Sequence, residues 1–168
     1  MRLLTLQEVD ELIAVPKFLL ADMAWLNKRG KITFQWVSCR INVQLHTEAA
    51  AREQFYIECQ WRTRGNRIPE QWTFNLIYQG NRIYALHVQP MGKHPNKVGK
   101  GRPFYKLEID GIHEHIWVDE GDGYAEPIDV PLDDPETIWK MFLHRANIDP
   151  GAFYHPDDNQ PEMNEYEL

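Results

Sequence analysis

His113 and His115 stand two residues apart in the run from Ile109 to Trp117, just after Asp110-Gly111. On a strand, residues i and i+2 point to the same side, so the two imidazoles share a face. Imidazole changes charge near neutral pH, so such a pair suits proton transfer or joint ligation of one metal ion. Asp-Gly favours a two-residue type I′ hairpin. With that turn Glu108 pairs with His113 and Lys106 with His115. Phe104, Lys106, Glu108, His113, His115 and Trp117 then share one face, while Tyr105, Leu107, Ile109, Ile112 and Ile116 face the core. A carboxylate beside one histidine favours its imidazolium, and an ammonium beside the other favours neutral imidazole. Histidines whose pKa values are pushed apart suit acid–base work.

The chemistry with the closest match in kind is metal-independent phosphodiester cleavage. It needs a base for the attacking hydroxyl, an acid for the leaving oxygen and a cation for the transition state. His113 and His115, or His94 with one of them, supply the first two. Lys106, with Lys93, Lys97 or Arg102, supplies the third, and Glu108 tunes His113. Phe104 and Trp117 offer rings on which an unpaired base stacks. This reading makes the chain a ribonuclease-like or RNA-binding protein, and it calls for no cofactor. A second enzymatic reading takes His94, His113 and His115 as a three-nitrogen metal site of a hydrolase. Lys106 opposes it by repelling a dication, while Asp119, Glu120 and Asp122 would add oxygen ligands. The bland alternative is a polar outer sheet face. No HExxH, GxSxG or nucleotide-binding glycine loop occurs. His87 reads as a hydrogen-bonded core residue, and His46 and His144 receive no role.

Charge says where an anionic partner would sit. The net charge is −7, but residues 119–168 hold fourteen acidic and two basic side chains, and residues 1–118 hold sixteen basic and eleven acidic ones. No acidic residue falls between Gln71 and Leu107. RNA would therefore meet the basic loop over 93–106. Asn96 is counted with Lys93, Lys97, Arg102, Phe104 and Trp117 as substrate-binding. The acidic C-terminal third also fits a different class, a non-enzymatic protein-interaction or anti-defence protein with a protein partner. The longest apolar run, Phe18–Leu26, is too short for a bilayer, and no secretory leader is read at the N-terminus. Cys39 and Cys59 lack metal-type spacing and read as reduced core residues. The expectation is a cytoplasmic protein with no membrane partner.

The elements that position these residues follow from periodicity. Thr5-Leu-Gln-Glu8 forms a capping box, and Leu6, Val9, Leu12 and Ile13 make one helical stripe that Pro16 ends. A second short helical piece is expected over Lys17–Leu26. Alternation then gives strands with a slip near Val37–Ser38, a strand from Phe55 to Trp61, and a hairpin joining Trp72–Tyr78 to Arg82–Val88 through Gly80-Asn81. On that hairpin Ile77, Tyr84 and Leu86 share one face, and Phe74, Leu76 and Ile83 the other. Pro90–Pro103 reads as a long loop, and Asp134-Pro135 starts a last helix. The fold class is α+β, with N-terminal helices and a C-terminal helix packed on a curved, mainly antiparallel sheet. One domain spans 1–148, and 149–168 form an acidic, flexible tail.

The order of these motifs resembles a family of uncharacterised prokaryotic proteins. It runs from Thr5–Ile13 and Pro16-Lys17 through Trp72–Tyr78, Gly92-x-His94-x-Asn96 and His113-x-His115 to Ala146-Asn147-Ile148, over most of residues 3–148. The resemblance supplies no activity, and it points to His94, Asn96, His113 and His115. More distantly, HxH after a basic, His-containing loop is similar to TumE-type toxins of toxin–antitoxin pairs, which implies a toxin–antitoxin or defence setting.

Overall fold

The first helix begins on the cap that the sequence encodes. Thr5 Oγ1 accepts the Glu8 amide at 3.2 Å, and the Thr5 amide donates to the Glu8 carboxylate at 2.8 Å. The structure, a computed structural model, describes residues 3–27, 35–46, 55–63 and 69–158. Its elements are α1 (Leu6–Ala14), β1 (Lys17–Leu19), β2 (Leu26–Asn27), β3 (Gln35–Leu45), β4 (Phe55–Thr63), β5 (Gln71–Tyr78), β6 (Asn81–Pro95), β7 (Glu108–Val118), β8 (Gly121–Pro127) and α2 (Pro135–Arg145). The strands pair antiparallel in the order β1-β3-β4-β5-β6-β7-β8, and β2 also lies on β3. The class is α+β with a mainly antiparallel sheet. No described helix is long and apolar enough to cross a membrane.

Alternation decides which face is buried. Phe55, Ile57, Cys59 and Trp61 of β4 face the core with Val37, Cys39, Ile41 and Val43 of β3. Phe74 and Leu76 stand opposite Leu86 and Tyr84. Trp139 and Phe142 of α2 pack on Phe74 with ring centroids 5.4 and 5.7 Å away, and Phe142 stacks on Tyr84 at 5.7 Å. That helix starts as expected: the Asp134 carboxylate accepts the Thr137 amide at 2.9 Å, and Pro135 occupies the first turn.

Lys17 ties the helices together. Its side chain is fully buried, and its ammonium donates to the carbonyls of Ile13 (2.9 Å), Val15 (2.7 Å) and Ala146 (2.9 Å). The C-terminal ends of α1 and α2, each carrying unpaired carbonyls and the negative pole of its dipole, thus meet at one cation. Burial pushes Lys17 down to about 8, which leaves it charged at neutral pH. The backbone completes the joint, with the Lys17 amide on Asn147 O at 3.1 Å and the Asp149 amide on Lys17 O at 2.8 Å.

Four sequence expectations are corrected. Lys17–Leu26 is not helical, because Lys17–Leu19 pairs with Val43–Leu45 on the edge of β3. The slip near Val37–Ser38 is absent; β3 pairs with β4 in one register from Gln35↔Thr63 to Val43↔Phe55, and Ile32 and Phe34, which suggested the slip, lie outside the described residues. The β5–β6 turn is Gln79-Gly80, with φ of 46° and 82° as a type I′ turn requires, and a register shift between Leu76 and Ile77 puts Phe74 and Leu76 on the face of Tyr84 and Leu86. Asp110-Gly111 makes no hairpin: it lies inside β7, and only Gly111 has positive φ (65°), so the turn lacks one of the two conformations it needs. The strand β6, running on to Pro95 instead of ending near Val88, offers β7 a longer ladder than the predicted hairpin partner would. The expected tail over 149–168 makes contacts with the domain in its first part, while 159–168 lie outside the described residues. Gly151 O accepts the Trp139 indole at 3.1 Å, Tyr154 O accepts that of Trp25 at 2.8 Å, and Phe153 packs edge-on against Trp72.

Replacing Lys17 by Met should lower unfolding free energy by about 3 kcal/mol, because three carbonyls lose their donor at a buried site. Urea unfolding of the two proteins checks it; a loss below about 1 kcal/mol would show that the joint is dispensable.

Candidate functional site

Strand pairing places four imidazoles side by side on the sheet face opposite α2. His113 on β7 stands across from His87 on β6, and His115 stands between Ala85 of β6 and Ala125 of β8. The two alanines leave lateral room for a ring. His94 comes later on β6, seven residues beyond His87, an odd offset that would turn it to the opposite face of a regular strand. The register shifts between Val88 and Lys93, with Gly111 set close to Pro90, and this irregularity returns His94 to the histidine side. Ring centroids of His94 lie 5.2 Å from His113 and 4.6 Å from His115. Those of His87 lie 5.3 and 4.4 Å from the same two rings, and His113 and His115 are 4.9 Å apart.

The cluster is dry. His113, His115 and His87 are 2, 3 and 9 % exposed. Burial pushes His113 down to about 4, helped by the charge of His94 and opposed by the Gly111 backbone. Burial, then the neighbouring His87 and Arg82, holds His115 far below its ordinary value. Burial, then Arg82, does the same to His87. These three rings are neutral at physiological pH.

Hydrogen bonds fix where their protons sit. A guanidinium only donates, so His115 Nδ1 accepts from Arg82 at 3.4 Å. Its proton is therefore on Nε2, which meets His87 Nδ1 at 3.2 Å. The proton of His87 is then on Nε2, which meets Asn75 Oδ1 at 2.9 Å. Separately, His94 Nε2 donates to Gly123 O at 2.8 Å, leaving a lone pair on Nδ1. Neither ring nitrogen of His113 makes a hydrogen bond of ordinary geometry. Buried polar atoms in that condition destabilise a fold by roughly 1–3 kcal/mol and call for a partner.

The structure divides the residues that the sequence grouped. It brings His94, His113 and His115 together. Glu108 is paired with Pro95 rather than His113, and its carboxylate binds Lys93 at 2.6 Å. Lys106 lies before β7 at φ 62°, exposed, with its ammonium 5.4 Å from the Tyr105 ring; His115 has alanines for ladder partners instead. Trp117 follows a register shift on β7 and is buried in the core, so it is no stacking platform. Phe104 is half-buried, with its amide on the Tyr124 hydroxyl at 3.2 Å. Lys97 and Arg102 are exposed on the loop. Asn96 is a buried latch: its amide donates to Phe104 O (3.0 Å) and Ala125 O (2.8 Å), and its oxygen accepts the Ala125 amide (2.7 Å). Asp122 is bound by Arg82 and Glu120 by the Lys100 amide, so neither adds an oxygen ligand to the histidines. His87 is buried and hydrogen-bonded as expected, but its place beside His113 and the parts of Asn75 and Arg82 were not foreseen. The spacing His87–His113 carried no signal until β6 was known to pair with β7.

A model of a family of unknown function, DUF6978, matches residues 4–148. The chain belongs to that family. DUF6978 membership fits the expected uncharacterised family and brings no activity with it. No curated protein and no solved structure matches the chain.

Substituting Asn96 by Ala should cost about 3 kcal/mol, since it removes three buried hydrogen bonds and leaves backbone groups unpaired. Amide exchange over residues 97–106 should accelerate with it. Unchanged exchange there would mean that other contacts hold the loop.

Proposed function

We propose that His87, His113 and His115 hold one divalent transition-metal ion of the zinc class, and that the chain is a metal-dependent hydrolase. The observation that carries this reading is the convergence of three buried imidazoles, each with a ring nitrogen within 4.8 Å of the others, at a place where the nitrogens of His113 make no hydrogen bond of ordinary geometry. Two nitrogens of a tetrahedral zinc site, at Zn–N of about 2.05 Å, stand roughly 3.3 Å apart. His115 Nε2 and His87 Nδ1 are 3.2 Å apart, so their spacing fits; His113 would move inward, and the His115 proton would pass to Nδ1, displacing the Arg82 contact.

The surrounding groups suit that role. Asn75 holds the far nitrogen of His87, as an outer partner of a metal-bound imidazole does. Three nitrogen ligands leave one position for water, and a bound dication supplies a nucleophilic hydroxide near neutral pH. His94, with its Nδ1 lone pair beside His113 and His115, is the group to accept that water's proton. Lys106 and Glu108 have no part in this chemistry. Beside His87, the open sheet face forms a groove of about 230 Å³ where a substrate would lie.

Metal content tests the reading. Zinc titration of the EDTA-treated protein should reach one equivalent per chain, and His113→Ala should abolish binding while His144→Ala, on an exposed position of α2, leaves it intact. Zinc at a hundredfold excess over its Kd should stabilise the wild type by about 2.7 kcal/mol. Sub-stoichiometric binding, or equal binding by His113→Ala, would sink the metal centre.

A further inference from the structure

We infer that the groove beside the histidines is the binding site for a small phosphorylated polyol, a sugar phosphate in kind, with Arg82 linking ligand and histidines. The inference deepens the hydrolase reading by naming its substrate class, and its binding test stands without the metal.

The groove lies on the face of the sheet that α2 does not cover. Its floor is built from outward positions of three adjacent strands: Gln60 and Arg62 on β4, Gln71, Thr73 and Asn75 on β5, and His87 and Gln89 on β6, with Arg82 at the end. These are alternate residues along each strand, so the lining is a direct consequence of the pleat that buries Trp61, Trp72 and Phe74 on the other side.

The character of the lining selects the ligand. Two guanidiniums line the groove, that of Arg82 already bound to Asp122, and the planar donor fork of arginine matches phosphate oxygens. Four primary amides and the Thr73 hydroxyl both donate and accept, which suits a body carrying several hydroxyl groups. The buried His87 imidazole is the only ring among the described lining residues and no aliphatic side chain joins it, so the groove lacks the exposed aromatic platform on which a nucleobase would stack. About 230 Å³ is the space of roughly eight waters. That is the scale of a pentose phosphate.

Arg82 belongs to both sides. Its guanidinium grips Asp122 at 2.9–3.2 Å and also donates to His115 Nδ1 at 3.4 Å. A phosphate drawn to this guanidinium competes for the donor that His115 uses. Occupation of the groove is thereby reported at the head of the chain running from Arg82 through His115 and His87 to Asn75.

Calorimetry on EDTA-treated protein with ribose 5-phosphate, ribose and inorganic phosphate tests the site. Ribose 5-phosphate should bind at least tenfold more tightly than either fragment. Arg62→Ala and Arg82→Gln should each weaken it tenfold or more, and Gln60→Ala, which changes no charge, by severalfold. The ¹⁵N resonances of His115 should move on adding ribose 5-phosphate and stay put with ribose. Absence of binding at millimolar ligand, equal affinity for either fragment, wild-type affinity in the arginine variants with native circular dichroism, or an unmoved His115 each overturns the proposal. Because the measurement contains no metal, its failure leaves the zinc stoichiometry untouched, and the reverse also holds.

Discussion

Everything about the site depends on the loss of strict alternation in β6. A regular strand can give one face to every second residue only, and His87 and His94 differ by an odd number. Between Val88 and Lys93 the ladder to β7 lapses, four residues of β6 facing Gly111 alone. The extra backbone changes the parity of everything beyond it. One face of one strand thus carries two imidazoles of opposite parity, and β7 contributes two more of equal parity. An alanine on each side of His115 then gives the rings the lateral space that bulkier neighbours would deny.

Burial of polar groups follows two different rules at Lys17 and at the histidines. Lys17 brings a full charge inside and spends all three of its protons on carbonyls that the helices would otherwise leave unpaired. Its partners gain what the ammonium loses by leaving water. His87, His113 and His115 enter neutral, and His115 and His87 are satisfied by a chain of donors that runs in a single direction from Arg82. His113 is the exception. Like the Trp61 and Trp117 indoles, it lacks a hydrogen bond of ordinary geometry, which is a local inconsistency in the packing.

Much of this was legible in the sequence where the physics is local. The Thr5–Glu8 box, the Asp134-Pro135 start and the alternation of Phe55, Ile57, Cys59 and Trp61 depend on neighbours within a few residues, and each is found where its pattern places it. That His113 and His115 share a face also follows from alternation alone. The partners of those histidines did not follow, because ladder pairing is a competition between distant segments. Asp110-Gly111 has the composition of a hairpin turn, yet β6 offers β7 more hydrogen bonds than the residues before the dipeptide do. With the wrong partner strand, Lys106, Glu108 and Trp117 were drawn into the site, and His87, which stands directly across from His113, was left in the core. Asn96 was singled out correctly as special and misread in kind, since a buried side-chain amide closing a loop and one awaiting a ligand look alike in sequence.

The junction at Lys17 also bears on how the chain reaches this structure. Its ammonium joins residues 13 and 15 to residue 146, a separation of 129 positions along the backbone for the last bond, and β1 meets Ile148 through a bridge of its own. The meander from β3 to β8 grows by adding each strand to the one before it and can assemble while synthesis continues. The edge formed by α1 and β1 cannot be completed in that way. Until α2 is made, the α1 helix has half of its anchor and the apolar face of the sheet lacks Trp139 and Phe142. The topology therefore separates contacts between strands adjacent in sequence from a closure that draws the oldest and newest described parts of the chain together.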